Sequence, residues 1–359
     1  MQTTPDVPQD RAQETLVSAD ALRDLLTRIY IKLGLFKVEA EMAAARQIDA
    51  DLRGIHSHGS RATPRYVSAI DLGEIDPRGQ TIVVQKTVAT ALLDGGRNLG
   101  HVASTKAMQM AIEMARECGT GTVAVRNSHH YGASSAYALM AAAAGFIGFT
   151  TTNTGGATVL GYGSKQAATA NNAFAWAVPA QSGPPFCLDM ACAVSSWGKL
   201  DSWKLYGKPI PDDWAVNAEG EPTNDPHQAK MLQPAAGARG YGLAILCAIL
   251  TGGLSGGKFP LEKTRHPDRE GSEHFFYVLD PARFGERDEF LAHMAAALGQ
   301  IRDLAPAAGV DSVRVPGDLE HARCSEWKAN GIPLHHSHLV ELELLASRWK
   351  LPCPWTRGG

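Results

Sequence analysis

The sequence lacks a dense cysteine framework, a long apolar run and a large excess of charge of either sign. Its six cysteines are scattered over 359 residues without a C-x-x-C pair, so structural disulfides are not implied and a reducing cytoplasm is expected. The best apolar run, 242–250, is much too short to span a bilayer. A formal net charge of −3 offers no basic face for nucleic acid or anionic lipid. These absences favour a small-molecule partner and exclude nucleic acid and membrane as expected partners.

The motifs of several common enzyme classes are missing too. Glycine-rich stretches at 155–156, 161–163 and 252–257 do not match the G-x-G-x-x-G spacing of a Rossmann dinucleotide site, and no Walker-type G-K-[ST] occurs. Neither H-E-x-x-H nor paired C-x-x-C supports a zinc site, and no G-x-S-x-G supports a serine hydrolase. From these motifs alone, a nucleotide cofactor is unsupported and no bound metal is expected.

The order of apolar and polar residues predicts an α/β chain of two lobes. Residues 1–15 form a loose polar lead-in, and Ser18 caps the first of several helices that end near residue 72. Strands and helices alternate over 81–152, which is typical of an α/β core. Three further predictions concern the rest of the chain: mostly irregular structure over 201–235, a strand at 312–315 and a last helix over 336–348.

Two histidine-bearing segments carry the strongest chemical signal. The first histidine segment reads Gly54-Ile-His-Ser-His-Gly59, and the second reads Asn127-Ser-His-His-Tyr-Gly132. Imidazole is the side chain that ordinarily titrates near neutral pH, so acid–base chemistry on a small polar substrate is expected. A third group near the end of the chain is assigned instead to a solvated loop and a helix cap: His335, His336 and His338.

Taken together, the motifs resemble those of the malate/L-lactate dehydrogenase-like oxidoreductases, a family without a Rossmann fold. Ureidoglycolate dehydrogenase is among the nearest members by motif. Several motifs in the family's order are far more specific than any single one. They are the two histidine segments, Tyr66, 144–148, 188–190, 197–199, 210–216, 234–243 and 315–317.

The resemblance implies a fold, a reaction and an assembly. The expected fold is an α/β, non-Rossmann, mixed-sheet lobe over 76–317 that binds NAD or NADP, beside a helical lobe built from 16–75 and 318–350. The expected reaction is a reversible hydride transfer between the nicotinamide and C2 of a small 2-oxo or 2-hydroxy acid of the malate, lactate or ureidoglycolate type. The expected assembly is a homodimer or a higher homo-oligomer, with active sites near subunit contacts.

The same resemblance assigns roles to individual residues. The family's proton-transferring histidine falls on His130, since an imidazolium can donate to a carbonyl oxygen as hydride arrives. Ser57 and His58 match positions that contact the substrate. Arg239 takes the place of a family lysine at the cofactor, where a guanidinium can meet a phosphate with two hydrogen bonds. The other matched cofactor positions are Thr154, Leu188, Asp189 and Met190.

Two departures from the family pattern leave the substrate open. The arginine that grips the substrate carboxylate in the family is replaced by Ala62, so Arg61 is predicted to hold substrate from a shifted pose, with Arg65 as a second candidate. Ala173 stands where the family usually has proline. Two alternatives therefore remain: a reductase of cyclic imino acids such as piperideine-2-carboxylate, and a catalytically idle relative that only binds ligands.

Overall fold

The computed structural model describes residues 10–263 and 271–355, within which the chain forms ten α-helices and fourteen strands. The helices are α1 (Ala19–Lys32), α2 (Lys37–Asp51), α3 (Thr63–Asp71), α4 (Gly100–Cys118), α5 (Ser135–Ala143), α6 (Trp197–Leu205), α7 (Ala238–Ala248), α8 (Arg287–Arg302), α9 (Asp318–Asn330) and α10 (His336–Ser347). The strands are β1 (Glu14–Val17), β2 (Ile82–Lys86), β3 (Thr90–Asp94), β4 (Thr120–Ser128), β5 (Ile147–Asn153), β6 (Val159–Leu160), β7 (Ala167–Thr169), β8 (Ala173–Val178), β9 (Phe186–Ala191), β10 (Ala215–Val216), β11 (Pro222–Thr223), β12 (Met231–Leu232), β13 (Ser272–Leu279) and β14 (Ile332–His335).

Helices α1, α2 and α3 pack with the late elements α9, β14 and α10. The Ser18 side chain accepts a hydrogen bond from the backbone N–H of Ala21, which confirms the predicted cap of α1. The helical period places the leucines of α1 on one buried face. That face belongs to an apolar cluster that also contains Tyr66 of α3, Trp327 of α9 and Leu339 of α10. Residues far apart in sequence therefore share one core.

A seven-stranded sheet forms the centre of the molecule, in the order β2-β3-β4-β13-β5-β8-β9. Among these described strands β3 and β4 pair in parallel, and the other neighbours pair antiparallel. The parallel pair is joined by α4, which ends where Gly119 adopts a left-handed conformation (φ +94°). The predicted class, mixed α/β, is confirmed. Its assignment to a non-Rossmann cofactor lobe over 76–317, beside a helical lobe, stays a prediction.

The region 201–235 is more regular than predicted. Helix α6 covers its start, and three two-residue strands, β10, β11 and β12, join β6 and β7 in a five-stranded sheet. This sheet buries its own apolar cluster, which includes Val159, Trp214 and Leu232. Strands this short show no alternation of apolar and polar residues, and the surrounding prolines and polar turns are typical of loops. Most of 201–235 is nevertheless turn or irregular, as predicted, and what the prediction missed is the end of α6 and the three short strands.

Both ends of the described chain also differ from the prediction. Residues 1–9 of the predicted lead-in lie outside the described residues, but Glu14 and Thr15 are not loose, since they belong to β1 and pair with β14. No strand forms at 312–315. Helix α9 follows instead, in a segment that was assigned to the helical lobe without an individual helix being predicted there. Its only fully buried side chain is that of Trp327, so its sequence lacks the apolar stripe by which a packed helix is recognised.

Candidate active site

The first histidine segment is held in place by a buried carboxylate at the end of α2. The Asp51 side chain is fully buried; its Oδ2 accepts from the backbone N–H of Ser60 at 2.8 Å, and its Oδ1 accepts from His56 Nδ1 at 2.9 Å. A Cβ at Gly59 would lie 2.1 Å from Asp51 Oδ1, so only glycine fits there. These contacts fix the backbone of the turn.

The side chains of His56 and His58 have different partners. The His56 ring stacks on Trp327 with centroids 5.6 Å apart, so this histidine is a packing residue. The His58 ring instead lies 5.2 Å from the ring of His130. The hydroxyl of Ser57 is 2.9 Å from His58 Nδ1. Burial, and then the charge of Arg65, lower the pKa of His58 to about 4.

The second histidine segment divides in the same way. His129 is buried, and its Nε2–H donates to the carbonyl oxygen of Glu74 at 2.8 Å. His130 turns toward α3, where its Nδ1 lies 2.6 Å from Tyr66 Oη and 3.2 Å from Arg65 Nη2. Burial and the nearby Arg65 charge lower the pKa of His130 well below its usual value. Ser57, His58 and His130, which the sequence singled out, are thus brought together.

Two residues at this site had no predicted role. Tyr66 is fully buried with its hydroxyl on His130. His101 of α4 is also fully buried; its ring stands edge-on to the Tyr66 ring at 5.1 Å, and neither ring nitrogen has a hydrogen-bond partner. Burial lowers the pKa of His101 to about 3. Tyr66 was visible as a family motif residue, whereas a lone histidine at the start of a helix carries no signal.

The two candidate carboxylate-binding arginines contact different parts of the structure. Arg61 Nη1 donates to Ser202 Oγ of α6 at 2.7 Å. Arg65, one turn later and exposed, contacts His130. Ala62, which occupies the family position of the carboxylate-binding arginine, is buried and has no polar group that could bind a carboxylate. The structure thus places Arg65 at His130 and Arg61 against α6, and the substrate role given to Arg61 stays a prediction.

Part of the predicted cofactor set lines a cavity of about 370 Å³. Leu188 and Asp189 form one wall, and the segment 315–317 forms another. Asp189 Oδ2 accepts from the backbone N–H of Ser135 at the start of α5 (2.8 Å), and burial raises the pKa of Asp189. Two buried polar atoms of lining residues, Ser135 Oγ and Arg53 Nε, have no hydrogen-bond partner of good geometry among the described residues, although the Ser135 side chain is close enough to Asp189 to lower the pKa of that carboxyl. Both atoms can donate to a polar ligand such as a dinucleotide.

The remaining predicted cofactor residues are not gathered at this cavity. Met190 packs with Leu188 against an apolar cluster beside α7. Thr154 follows β5 and is half-buried, and Arg239 is exposed in the first turn of α7. Their cofactor roles stay predictions.

The histidines near the end of the chain are structural. The Nδ1 atom of His335 accepts from the backbone N–H of Ser337, which confirms the predicted cap of α10. His338, by contrast, is buried, and burial lowers its pKa to about 4, so the solvated-loop assignment was wrong for this residue. Across 10–263 and 271–355, no group of three metal-ligating side chains occurs, and no helix has both the length and the apolar character to cross a membrane.

Comparison with known proteins agrees with this geometry. A sequence model described as malate/L-lactate dehydrogenase matches residues 17–343. The chain belongs to the malate/L-lactate dehydrogenase family. Among its relatives, malate dehydrogenase of Pyrococcus abyssi is 35% identical over 344 residues, which cover 92% of this chain and 94% of that protein. The NAD(+)-dependent ureidoglycolate dehydrogenase of Escherichia coli K12 is 30% identical, with 89% and 92% covered. The NADP(+)-dependent (2R)-3-sulfolactate dehydrogenase of Chromohalobacter salexigens is 30% identical, with 81% and 86% covered.

Solved structures of the malate/L-lactate dehydrogenase family share the fold. Malate dehydrogenase of Entamoeba histolytica superposes with a TM-score of 0.90 at 28% identity, covering 96% of this chain and all of that one. The Δ1-piperideine-2-carboxylate reductase of Pseudomonas syringae superposes with a TM-score of 0.82 at 26% identity, covering 92% and 100%. The chain is therefore an oxidoreductase of the dehydrogenase class that acts on CH–OH groups, and its relatives support a nicotinamide cofactor.

Proposed function

We propose that this chain is an NAD(P)-dependent oxidoreductase that transfers a hydride between the nicotinamide and C2 of a small 2-oxo or 2-hydroxy acid. The proposal depends on one observation: His130 lies close to both His58 and Arg65, and Ser57 contacts His58. A titratable imidazole beside a guanidinium provides a proton donor or acceptor next to a carboxylate-binding group, which together suit a 2-oxo acid.

In the proposed reaction the protein's residues handle the proton and the substrate. A bound nicotinamide supplies or accepts the hydride. His130 takes the hydroxyl proton during oxidation and returns it to the carbonyl oxygen during reduction. Ser57 and His58 contact the substrate oxygens, and Arg65 binds its carboxylate. Arg61 would have to leave Ser202 to serve in this way.

The proposed cofactor site is centred on the cavity beside Leu188 and Asp189. Ser135 Oγ and Arg53 Nε would satisfy polar groups of the dinucleotide there. Met190, Thr154 and Arg239 are proposed to contact parts of it that extend beyond this cavity. Relatives named for NAD(+) and for NADP(+) both occur, so titrations with NADH and NADPH, followed by fluorescence, decide the preference.

The deciding experiment follows the absorbance of NADH and NADPH with purified protein and a panel of 2-oxo acids. The panel includes oxaloacetate, pyruvate and 3-sulfopyruvate. Oxidation of the cofactor with one of these acids is the expected result. Cofactor binding without turnover on any acid or imine would contradict the proposal and favour the idle, ligand-binding alternative.

A second candidate function is the reduction of a cyclic imino acid at C=N. The structural similarity to Δ1-piperideine-2-carboxylate reductase favours testing it. The same assay with piperideine-2-carboxylate separates the two, because turnover confined to the imine would assign the chain to that reaction.

We further propose that the chain acts as a homodimer or higher homo-oligomer in a reducing cytoplasm. The resemblance to the family and the scattered cysteines support this. Helix α7 and the turn after it also leave Leu243, Leu246 and Ile249 exposed, in a stretch, 240–257, that contains no charged residue. Exposed apolar patches mark interaction sites. Light scattering of the purified chain should give a mass of at least twice 38.3 kDa, and a monomer would contradict this proposal.

A further inference from the structure

The protein surrounds one nitrogen of His130 with hydrogen-bond donors. At Nδ1, Arg65 Nη2 donates from 3.2 Å and the backbone N–H of Gly132 donates from 3.4 Å. Tyr66 Oη is closer still, at 2.6 Å. A guanidinium and a backbone N–H can only donate, whereas a phenol can donate or accept. Nδ1 must therefore accept, which places the proton of the neutral ring on Nε2.

The opposite nitrogen is the one open to substrate. No described residue makes a hydrogen bond with His130 Nε2, while Nδ1 is occupied by three protein groups. Proton exchange with a substrate hydroxyl or carbonyl therefore takes place at Nε2. To accept the hydroxyl proton, Nε2 must be unprotonated, and the ring must then carry its proton on Nδ1. The arrangement in the free protein is thus the wrong tautomer for the oxidation.

The surroundings of Nδ1 identify the group that must move. If Nδ1 is protonated, it can donate only to Tyr66 Oη, because that oxygen is the one neighbour there able to accept. Tyr66 is buried, whereas Arg65 is exposed on the same helix, so Arg65 is the donor that a ligand from solvent can reach. Withdrawal of Arg65 from Nδ1 would remove both a competing donor and a positive charge.

A substrate carboxylate supplies the reason for that movement. Charge-assisted hydrogen bonds between a guanidinium and a carboxylate are stronger than a bond from a guanidinium to a neutral ring nitrogen. The family arginine is absent at the buried Ala62, and Arg61 is occupied with Ser202. Arg65 is the arginine that a carboxylate beside His130 would meet.

We propose that Arg65 couples carboxylate recognition to the tautomer and protonation of His130: it holds the ring in the Nε2–H form in the free protein and releases it when a substrate carboxylate binds. Tyr66 is the positioning residue for both states, since its hydroxyl donates to Nδ1 before release and accepts from it afterwards. The inference rests on the proposed function and names how its acid–base group is controlled. The proton only moves between ring and substrate, so no further reactant is needed.

The electrostatic surroundings agree with this assignment. Burial and the Arg65 charge lower the pKa of His130, and three neighbouring histidines act in the same direction. Among the described residues, the titratable or charged groups that face the ring are Arg65 and Tyr66 from α3, His58 from the first histidine segment, His101 from α4 and His274 from β13. Of these, Arg65 is the exposed one whose position a small ligand can change.

The test is a nitrogen-15 NMR experiment on the full chain with labelled histidine, in which ring tautomers are distinguished by their nitrogen shifts. The His130 signals are assigned from their loss in His130→Gln. In the free protein we expect an Nε2–H ring. Arg65→Met should raise the pKa of His130 by about one, a tenfold gain in proton affinity, and shift the proton toward Nδ1. Oxamate, a carboxylate that cannot be reduced, should produce the same change in the unmodified protein and none in Arg65→Met.

Arg61→Met is the matched control, because Arg61 contacts Ser202 on another element. It should leave the His130 signals unchanged. Identical His130 signals and pKa in Arg65→Met and the unmodified protein would overturn the proposal, as would oxamate binding that leaves the tautomer unchanged. Tyr66→Phe should weaken the oxamate effect, since Nδ1–H then lacks an acceptor. The free-protein comparison does not depend on turnover, so it judges the coupling even if every substrate in the panel fails.

Discussion

The two histidine segments divide their histidines in the same way, and the two histidines within each segment have different roles. In each, one histidine serves the fold: His56 stacks on Trp327, and His129 donates to a backbone carbonyl. The other, His58 or His130, lies at the candidate active site. All four are the same chemical group, so their roles are set by the partners that the surrounding helices supply. A histidine in a motif becomes a reactive group only where the fold leaves a ring nitrogen open.

The largest expected effect tests whether the two histidines of the second segment have different roles, by replacing each of them in turn. His130→Gln should lower turnover by about 100-fold or more, because the proton donor is lost, with cofactor binding retained. His129→Gln should keep turnover and lower the free energy of unfolding by about 0.5–1.5 kcal/mol, since it loses one hydrogen bond to Glu74. Steady-state kinetics and urea unfolding measure the two effects. Equal turnover in the two variants would refute the division of roles.

The next effect concerns the carboxylate that fixes the first segment. Asp51→Ala leaves the backbone N–H of Ser60 buried without its acceptor. We expect the free energy of unfolding to fall by about 1–3 kcal/mol, measured by urea denaturation. Asp49→Ala, which removes a partly exposed partner of Arg46 on the same helix, is the control and should cost less than about 1 kcal/mol. A loss no larger than the control's would show that Asp51 does not organise the turn.

A third prediction separates buried from exposed histidines by their response to acid. The folded-state pKa of His101 is about 3, against about 6.5 in an unfolded chain. Between these values the unfolded chain binds a proton that the folded chain excludes. The free energy of unfolding therefore falls as pH drops through this window, by about 1.4 kcal/mol per pH unit for this group.

His101→Leu removes that contribution, so its free energy of unfolding should fall less between pH 6 and pH 5 than that of the unmodified protein. The comparison requires urea unfolding at both values of pH. His227→Gln, at an exposed turn, should keep the original dependence. The same slope in all three proteins would mean that His101 is not held neutral by burial.

The smallest expected effect tests the stacking of His56. His56→Gln keeps a donor for Asp51 but loses the ring contact with Trp327, which should cost about 0.5–1.5 kcal/mol. Thermal or urea unfolding of the single variants and the double variant with Trp327→Leu gives the coupling between the two side chains. A coupling near zero would show that the rings touch without stabilising the fold.

Local signals predicted much of the secondary structure. The hydroxyl of Ser18 and the left-handed Gly119 mark real helix ends, because capping depends on residues adjacent in sequence. Helix α9 and the five-stranded sheet were missed. Their stability comes from side chains such as Trp327 and Trp214 that pack against distant segments, and such contacts leave no periodic pattern in the sequence.

The candidate site was predicted in part for the same reason. The family resemblance pointed to His130, Ser57 and His58, which the structure brings together. It favoured Arg61 over Arg65, whereas Arg65 is the arginine that contacts His130 and Arg61 contacts Ser202. Two 3₁₀ turns precede α3, and because one residue rotates a helical side chain by about 100°, the sequence alone does not give the direction of either arginine. Nor could it show that three groups converge on a single ring nitrogen, since Arg65 and Tyr66 come from α3, far from His130 in the sequence.

The pairing of β1 with β14 has a consequence for the synthesis of the protein. Glu14–Val17 finds its partner only when Ile332–His335 has been made, and the cluster around Tyr30 and Tyr66 needs Leu339 and Leu342 from the same late segment. The helices made first must therefore wait, with apolar faces uncovered, while the seven-stranded sheet is translated. Such non-local contacts slow folding and expose the early chain to aggregation. Chaperone dependence during translation should thus be concentrated in the first hundred residues or so rather than in the sheet.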